Sequence, residues 1–575
     1  MGKKTVTMYI LGISCYYHDS AAVLIKDGIL IAAAEEERFS RKKHDASFPK
    51  LSIAFCLKKA GITANDLSYV VFYEKPFLKF ERQFLSSLSG APKSFSFFNE
   101  SMKEWFFDKM WVKSHIVSAL NIDPRKLLFS EHHVSHMSST FFCSPFEKAA
   151  LLSIDGVGEW TTTSWGVGNG TNIDIKEEIR FPHSLGLLYS AFTVFTGYEA
   201  NEGEYKVMGL APYGKAKYVD EVYQVLDQKK DGSYALDLSY FSYHYDIHGI
   251  YTKKFLGVFG KKNTKPDEIQ TYYADIAASI QYVFEEILLK IVTHVYQKTK
   301  LDSLCYAGGV ALNSKANWEI LKRSPFKKIF IQPAAGDSGG ALGAALWVYH
   351  TVLGKKRTFV MEHAYYGAAE TTSEAKQTLE AENVSYKTIK SDETLIDQVT
   401  DAMKRGKVIG WVQGEFEWGP RALGHRSILA DPRSLAMKDL VNSKIKFREA
   451  FRPFAPATTI EDADKYFSVG SKKTHDPFKF MLYVVSVKKD KREQLGAITH
   501  VDGTARPQFV DEKTNPLYYK LIKRFGEKTD VSVILNTSFN LKGEPIVNTT
   551  KEALNTFNRS GIDLLVIHNM IVRKK

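Results

Sequence analysis

The 575-residue sequence predicts an α/β fold in two parts, a duplicated core over residues 1–355 and a second α/β domain over residues 356–575. Three observations carry this reading: two echoing three-stranded units, a pair of strand–glycine turn–helix segments, and a compositional shift at residues 353–363. In the first unit, residues 8–39, a short apolar strand meets the polar turn Tyr17-His18-Asp19-Ser20. Two further apolar runs, 21–26 and 29–34, are joined there by Asp27-Gly28, a strong hairpin signal. Residues 149–180 repeat the scheme. Apolar 149–154 ends in Asp155-Gly156, 161–167 is β-rich, and Asn169-Gly170 turns into a third strand.

Residues 74–121, between the two units, are helical in character and carry ten aromatic residues from Phe77 to Trp111, as expected of an inserted helical subdomain with a packing role. After the second unit, residues 271–300 read as one long amphipathic helix. The apolar strand 304–307 then runs into Gly308-Gly309, and 329–331 runs into Gly336-Asp337-Ser338-Gly339-Gly340 and an Ala-rich helix. Both segments offer backbone N–H groups and a helix N-terminus to a phosphate. A duplicated core whose first-strand loops face one cleft is the plan of actin-like folds, although a fold by itself does not assign a function. Gly354-Lys355-Lys356-Arg357 reads as the linker to the second domain, which alternates strands and helices and ends its apolar strand 531–535 at Asn536-Thr537-Ser538-Phe539-Asn540.

Composition excludes several classes. Hydrophobic residues at 44% and charged residues at 25% are ordinary globular values, against disorder or a fibrous protein. No run approaches a spanning length and no cleavable signal opens the chain, so neither membrane insertion nor secretion is expected. Four scattered cysteines (Cys15, Cys56, Cys143, Cys305) without a CxxC argue against a disulfide framework or thiolate zinc and suit a reducing cytoplasm. The excess of 77 Lys+Arg over 65 Asp+Glu gives +12, which fits nucleic acid or anionic small substrates alike, but no basic stripe or RNA-binding motif accompanies it. The opening Met1-Gly2-Lys3-Lys4-Thr5-Val6 lacks the Ser/Thr of a myristoylation signal, and the residues before Met8 read as a dispensable extension.

Four constellations carry chemistry. His132 and His136 in Glu131-His132-His133-Val134-Ser135-His136 share one helical face at a spacing that suits a single metal ion. His133 stands where HExxH needs its glutamate, which removes the general base of peptide hydrolysis. Asp155 and Asp337, each in a loop facing the predicted cleft, extend the set to two imidazoles and two carboxylates, suited to Fe(II), Mn(II) or Zn(II). An ordinary turn at Asp155-Gly156 and a helix cap at Asp337 are the plainer alternatives. The second constellation is the pair of glycine turns, with Asn313 as a hydroxyl or base partner, which together favour ATP. The third is residues 419–427 continuing to Lys444, Lys446, Arg448 and Arg452. From Arg421 to Arg452 eight Lys/Arg oppose three Asp/Glu, among short apolar stretches that suggest a pocket wall, and Arg506 adds another anion ligand. The fourth is His18 beside Asp19, an imidazole placed to take a proton from a hydroxyl.

Taken together the motifs resemble the family of nodulation-protein-U and cephamycin-type O-carbamoyltransferases, which includes tobramycin carbamoyltransferase. The resemblance rests on residues 12–22 (GISCYYHDSAA), 35–45 (EEERFSRKKHD), 132–136, 155–159 (DGVGE), 184–189 (SLGLLY), 204–214 (EYKVMGLAPYG), 307–313 (AGGVALN), 419–427 (GPRALGHRS), 452–456 (RPFAP), 500–507 (HVDGTARP) and 536–545 (NTSFNLKGEP). These run in order across nearly the whole chain. They imply an actin-like N-terminal domain similar to the tRNA threonylcarbamoyl transferase and a C-terminal domain similar to the threonylcarbamoyl-adenylate synthases. The implied reaction has two steps. Carbamoyl phosphate and ATP give carbamoyl adenylate and pyrophosphate in the C-terminal domain, and the N-terminal domain passes the carbamoyl group to an alcohol, releasing AMP.

Carried over by resemblance, His132, His136, Asp155 and Asp337 are metal ligands, of Fe(II) in the family. Asp155, Gly308, Gly309, Asn313 and Asp337 contact the nucleotide. Arg421, Arg452, Arg506, Asn536 and Ser538 form the carbamoyl phosphate pocket, His18 is the general base, and Tyr16 and His183 lie in acceptor-contacting loops. His425 has no assigned role. The competing readings are transfer to tRNA, which the fused second domain opposes, and a nucleotide-binding scaffold without chemistry, which leaves the arginine-rich segment and paired histidines unexplained. The sequence leaves open the acceptor (a natural product or a sugar), the metal, and whether the protein is a homodimer.

Overall fold

The computed structural model describes residues 7–107, 109–449, 451–470 and 476–574, so the hexapeptide read above for a lipid signal lies outside the described residues. The chain forms two compact units, one of Met1–Ala33 and Ala46–Val360, the other of Ala34–Asp45 and Met361–Lys575. In the first, β1 (Tyr9–Ser14), β2 (Ala21–Lys26), β3 (Ile29–Glu35), β4 (Leu67–Phe72) and β5 (Leu127–Phe129) form a sheet in the order β3-β2-β1-β4-β5. Strands β6 (Lys148–Ile154), β7 (Thr161–Asn169) and β8 (Asn172–Arg180) precede a small hairpin, β9 (Leu226–Gln228) with β10 (Tyr234–Leu236). With β11 (Ser303–Ala307) and β12 (Lys328–Phe330) they give a second sheet in the order β12-β11-β6-β7-β8. In each sheet the first strand is central, antiparallel to the next strand and parallel to a later crossover strand: β1 with β2 and β4, β6 with β7 and β11. This duplicated topology is the actin-like plan. Because the central strands β1 and β6 are covered on both faces, successive residues are buried along them rather than alternate ones.

The insertion folds as helices Pro76–Ser89, Phe95–Phe107 and Val112–Leu120. Part of its aromatic content packs internally, with the Phe80 and Trp105 rings 5.4 Å apart. The Pro76–Ser89 helix is inverted, however. Its buried residues are Lys79, Arg82 and Ser87, while Phe77 is 70% exposed and Leu85 and Leu88 also face outward.

The second unit centres on an eight-stranded mixed sheet, with its strands β13 (Tyr386–Thr388), β14 (Ile409–Val412), β15 (Arg426–Ala430), β16 (Ala455–Thr459), β19 (Gln508–Val510), β20 (Val533–Ser538), β21 (Leu564–Ile567) and β22 (Met570–Arg573). Their order is β13-β22-β21-β14-β15-β20-β16-β19, and β17 (Val485–Ser486) and β18 (Thr504–Ala505) pair separately. Trp411, Leu429, Ile534 and Val566 of the sheet pack with Val399 of helix Asp392–Lys404 and with Ile522 and Phe525 of helix Pro516–Thr529. Strand β20 runs three residues past its expected end, because Ser538 pairs with Ser427 and Asn536 with both Leu429 and Ala455. Asn536 and Ser538 are thus strand residues, not loop residues. Residues 34–45 belong to this unit although their flanks do not. Arg41 Nη1 and Nη2 donate to Ile546 O (2.7 Å) and Pro545 O (2.8 Å), and Arg38 Nη2 donates to Gly419 O (3.0 Å).

Two helices of the first unit position its cleft. Helix His132–Phe141 is tied to β12 by Thr140 Oγ1, which donates to Phe330 O (3.1 Å), and helix Asp337–Trp347 lies on β1. The helices meet backbone to backbone. A Cβ at Gly343 would lie 1.7 Å from Ser135 O, and one at Gly12 would lie 1.9 Å from Ala341 O. Gly343→Ala should therefore destabilise the unit by about 1–3 kcal/mol through overpacking, read as a lower denaturant midpoint, whereas Gly257→Ala, with open space around it, should not.

Candidate metal centre and active site

The structure brings His132, His136, Asp155 and Asp337 together. One ligand atom from each lies within 4.8 Å of the others. His132 and His136 lie one turn apart on helix His132–Phe141, Asp155 follows β6, and Asp337 opens the helix that crosses it. The two Nε2 atoms are 3.0 Å apart and lie 3.1 and 2.9 Å from Asp155 Oδ2, with Asp337 Oδ1 at 3.6 and 3.5 Å. Burial alone would disfavour charge on Asp155, but hydrogen bonds from both imidazoles hold its carboxyl well below the usual range. Burial likewise works against a charged His136, yet Asp155 and Asp337 outweigh it and lift the imidazole to about 9. The two carboxylates thus favour positive charge at the point where the four side chains converge, as a bound cation would supply.

The residues fit such an ion. Three of the four are almost fully buried, and Asp337 Oδ2 has no hydrogen-bond partner among the described residues. The mixed imidazole–carboxylate set suits Fe(II), Mn(II) or Zn(II). Supporting groups surround it. Glu159 accepts the His132 N–H at 3.0 and 3.1 Å, a carboxylate at a helix N-terminus. Glu74 Oε2 lies 3.8 Å from His132 Nδ1 and is itself held by Lys79 Nζ at 2.9 Å, the carboxylate–histidine arrangement that orients metal ligands. Sequence reasoning missed this pair, because Glu74 and Lys79 stand among other charged residues (Lys75, Glu81, Arg82) and their spacing does not set them apart.

His18 faces the same centre. Its Nδ1 lies 2.9 Å from Asp19 Oδ2 and its Nε2 lies 3.9 Å from Asp337 Oδ2. Burial pulls its pKa down, but Asp337 and Asp19 more than compensate and raise it to about 9. Tyr16 has the positive φ of 72° needed at the β1–β2 turn, and its N–H donates to Ala46 O (2.8 Å). His183 is pinned: its Nδ1 accepts the Leu236 N–H at 3.1 Å, and burial lowers its pKa.

On the other side of Asp155, the Gly309 N–H donates to its Oδ1 (3.2 Å). Gly308 takes φ 92°, and a Cβ there would meet Ile154 O at 2.1 Å, so glycine is required. Asn313 caps helix Ser314–Arg323 and exchanges hydrogen bonds with Gln281, which also accepts from Tyr189 Oη (2.7 Å). Gln281 was not singled out in the sequence, where it is one polar residue in a 29-residue helix. Gly339 and Gly340 serve packing instead of ligand approach. Cβ atoms there would lie 2.0 Å from Ala334 O and 2.7 Å from the Tyr73 ring.

In the second unit, the anion-binding candidates divide into a scaffold and a cationic cluster. Glu417 is fully buried, and its Oε1 accepts the N–H groups of Leu423 (2.7 Å), His425 (2.8 Å) and Arg426 (3.1 Å), which folds the loop carrying Arg421. Asn536 Nδ2 donates to Ala422 O (3.2 Å) and Gln508 Oε1 (2.9 Å), bracing the same loop. Lys446 Nζ donates to Ser538 O (2.8 Å), Ser538 Oγ (3.2 Å) and Asn540 Oδ1 (2.6 Å). Burial depresses the pKa of Lys446 and of Arg448; Arg448 and Arg452 lower that of Lys446 further, and Arg452 and Arg506 act on Arg448 against the opposing carboxylate of Glu449, which lies 3.6 Å from Arg452 Nη1. Lys446 and Arg448 therefore join Arg452, Arg506 and Ser538 in one electropositive region.

Comparison with known proteins agrees with this architecture. The family model described as the carbamoyltransferase N-terminus matches residues 9–346, and that for the carbamoyltransferase C-terminus matches residues 400–574. An uncharacterised Synechocystis protein is 46% identical over 98% of this chain and 97% of its own length. Nodulation protein NolNO of Sinorhizobium fredii is 36% identical over 97% and 79%. The 3'-hydroxymethylcephem-O-carbamoyltransferase of Amycolatopsis lactamdurans is 28% identical over 82% and 81%.

His425 supports the Arg421 loop. Its ring stacks on Tyr365 with centroids 3.8 Å apart, and its Nδ1 donates to Glu415 O (2.5 Å). Burial lowers its pKa to about 4, only partly opposed by Glu417. The unfolded chain, with a histidine pKa of about 6.5, binds the proton first, so stability falls as pH drops from about 6.5 toward 4. His425→Gln should flatten that part of the stability–pH curve relative to wild type, measured by chemical denaturation at each pH.

Proposed function

Because the chain belongs to the carbamoyltransferase family, we propose that it is an ATP-dependent O-carbamoyltransferase acting on a hydroxyl of a small-molecule acceptor, a natural product or a sugar. The observation that carries this reading is the convergence of His132, His136, Asp155 and Asp337, a set that could hold a metal ion, beside His18, with the Gly308-Gly309 turn bonded to Asp155. Residues 356–575 would form carbamoyl adenylate. Carbamoyl phosphate is hydrolysed with one water to carbamate and phosphate, and carbamate displaces pyrophosphate from ATP. Residues 1–355 would then transfer the carbamoyl group, as the alcohol oxygen bonds to the carbonyl carbon and AMP departs with the bonding pair.

The residues divide the work. Arg421, Arg452 and Arg506 would hold the phosphate of carbamoyl phosphate, with Asn536 and Ser538 fixing its orientation, and guanidinium groups suit that geometry. Gly308, Gly309 and Asn313 would receive the nucleotide, the first two through backbone approach. His18 would accept the alcohol proton at Nε2 while Asp19 fixes the ring through Nδ1, and Tyr16 and His183 would border the acceptor. His132, His136, Asp155 and Asp337 would hold a divalent cation, Fe(II) by family resemblance; when bound it would draw charge from the departing phosphoryl group and offset the carboxylate field that keeps His18 protonated.

His18→Asn should lower carbamoyl transfer by about 10²–10⁴-fold while carbamoyl-phosphate-dependent pyrophosphate release from ATP continues. Loss of both steps would make His18 structural. His136→Ala should abolish stoichiometric binding of Fe(II), Mn(II) or Zn(II), and the proton that metal loading displaces near neutral pH in the wild type should not appear. Metal-loaded enzyme supplied with ATP and carbamoyl phosphate should add one carbamoyl group to an alcohol, detected by mass spectrometry. Failure to form AMP in a carbamoyl-phosphate-dependent way would overturn the reading.

A further inference from the structure

The inverted helix Pro76–Ser89 turns two cations into the first unit's cleft, and they differ in one respect. Lys79 is neutralised, since both oxygens of Glu74 accept from its Nζ at 3.0 and 2.9 Å. Arg82 is not. It is 5% exposed, and among the described residues it makes one hydrogen bond, from Nη1 to Gly158 O (3.1 Å), and no ion pair. Its guanidinium lies over the Phe181 ring, 5.0 Å from the centroid. Burying a guanidinium without a contacting anion is costly, and Nε and Nη2, an edge suited to a two-oxygen partner, remain available. Burial accordingly lowers its pKa to about 10, with Tyr17, Glu74 and Glu159 opposing the shift from beyond contact distance.

Its neighbours indicate which ligand supplies the partner. Gly158 lies in the turn after Asp155 and packs on His132, so Arg82 sits beside the candidate metal centre. Phe181 is two residues before His183, and Tyr17 lies between Tyr16 and His18, so this edge belongs to the acceptor side. The nucleotide turn reaches Asp155 from the other side, through Gly309. We propose that Arg82 is an acceptor-binding residue that pairs with an anionic group, a carboxylate, phosphate or sulfate, carried by the hydroxyl-bearing acceptor. This rests on the carbamoyltransferase reading above and narrows its substrate class from alcohols in general to acidic alcohols.

The test uses the full chain with metal, ATP and carbamoyl phosphate, and matched probes that differ in one charged group. The pairs are glucose and glucuronate, glycerol and glycerol phosphate, and N-acetylglucosamine and its 6-sulfate. Wild type should carbamoylate the charged member of at least one pair with a kcat/KM about tenfold or more above its neutral partner, the scale of one charge-assisted contact. Arg82→Met should erase that preference through KM, and Arg82→Lys should keep part of it. Thermal melts of each variant report folding, and if Arg82→Met does not fold, Arg82→Lys and the wild-type preference decide. Three results overturn the proposal: no charged preference in any pair, a preference retained in Arg82→Met, or a matching loss of AMP affinity relative to adenosine, which would move the guanidinium to the nucleotide. Wild type that forms no AMP from ATP and carbamoyl phosphate would instead overturn the parent reading.

Discussion

The first unit depends on the crossing of two helices whose backbones touch, Gly343 on one against Ser135 on the other. Only a residue without a side chain permits that approach, and the crossing fixes where the neighbouring turns point. One helix carries His132 and His136, the other begins at Asp337, and each lies over a sheet whose first-strand loop supplies another group of the site, Asp155 or His18. A shift of an ångström at this contact would move Asp337 away from the two imidazoles, which now lie 3.6 and 3.5 Å from its Oδ1. The cleft is therefore precise because most of its groups sit on or directly beside rigid elements, with His18 alone of these placed within the β1–β2 loop.

Charge is handled differently in the two units. Around the candidate metal centre, acids and bases are paired within contact distance, with Glu74 on Lys79 and Asp155 on two imidazoles, while Asp337 Oδ2 has no hydrogen-bond partner among the described residues. In the second unit cations outnumber acids, with Lys446, Arg448, Arg452 and Arg506 acting on one another and the Glu449 carboxylate facing Arg452 at 3.6 Å. Structural support for these cations comes from uncharged donors and acceptors on β20, and the Glu417 carboxylate lies under the Arg421 loop.

Much of this was legible in the sequence, and the reasons differ by element. The echo of strand, polar turn and hairpin gave the duplicated sheets because period and turn chemistry are local properties. The four metal-ligand candidates were found because His132 and His136 are a helical turn apart and each aspartate follows an apolar strand. The roles of Gly339, Gly340 and Gly343 were not legible, since a glycine that admits a ligand and one that admits another helix look alike in one dimension. The end of β20 was misplaced because Asn, Thr and Ser are loop-prone by local preference, and only pairing with β15 and β16 makes Asn536 and Ser538 strand residues. Nor could the sequence show that helix Pro76–Ser89 is inverted, because amphipathicity gives two faces without saying which one is inside.

Residues 34–45 carry a consequence for anyone who would take the molecule apart. The chain leaves the first unit after Ala33, contributes Glu35, Arg38 and Arg41 to the second, and returns at Ala46. Cutting at the 353–363 linker would strand those three side chains on the wrong fragment, leaving the carbonyls of Gly419, Pro545 and Ile546 without their donors. A C-terminal half expressed by itself would be an incomplete body, and adding the dodecapeptide in trans is the natural way to restore it.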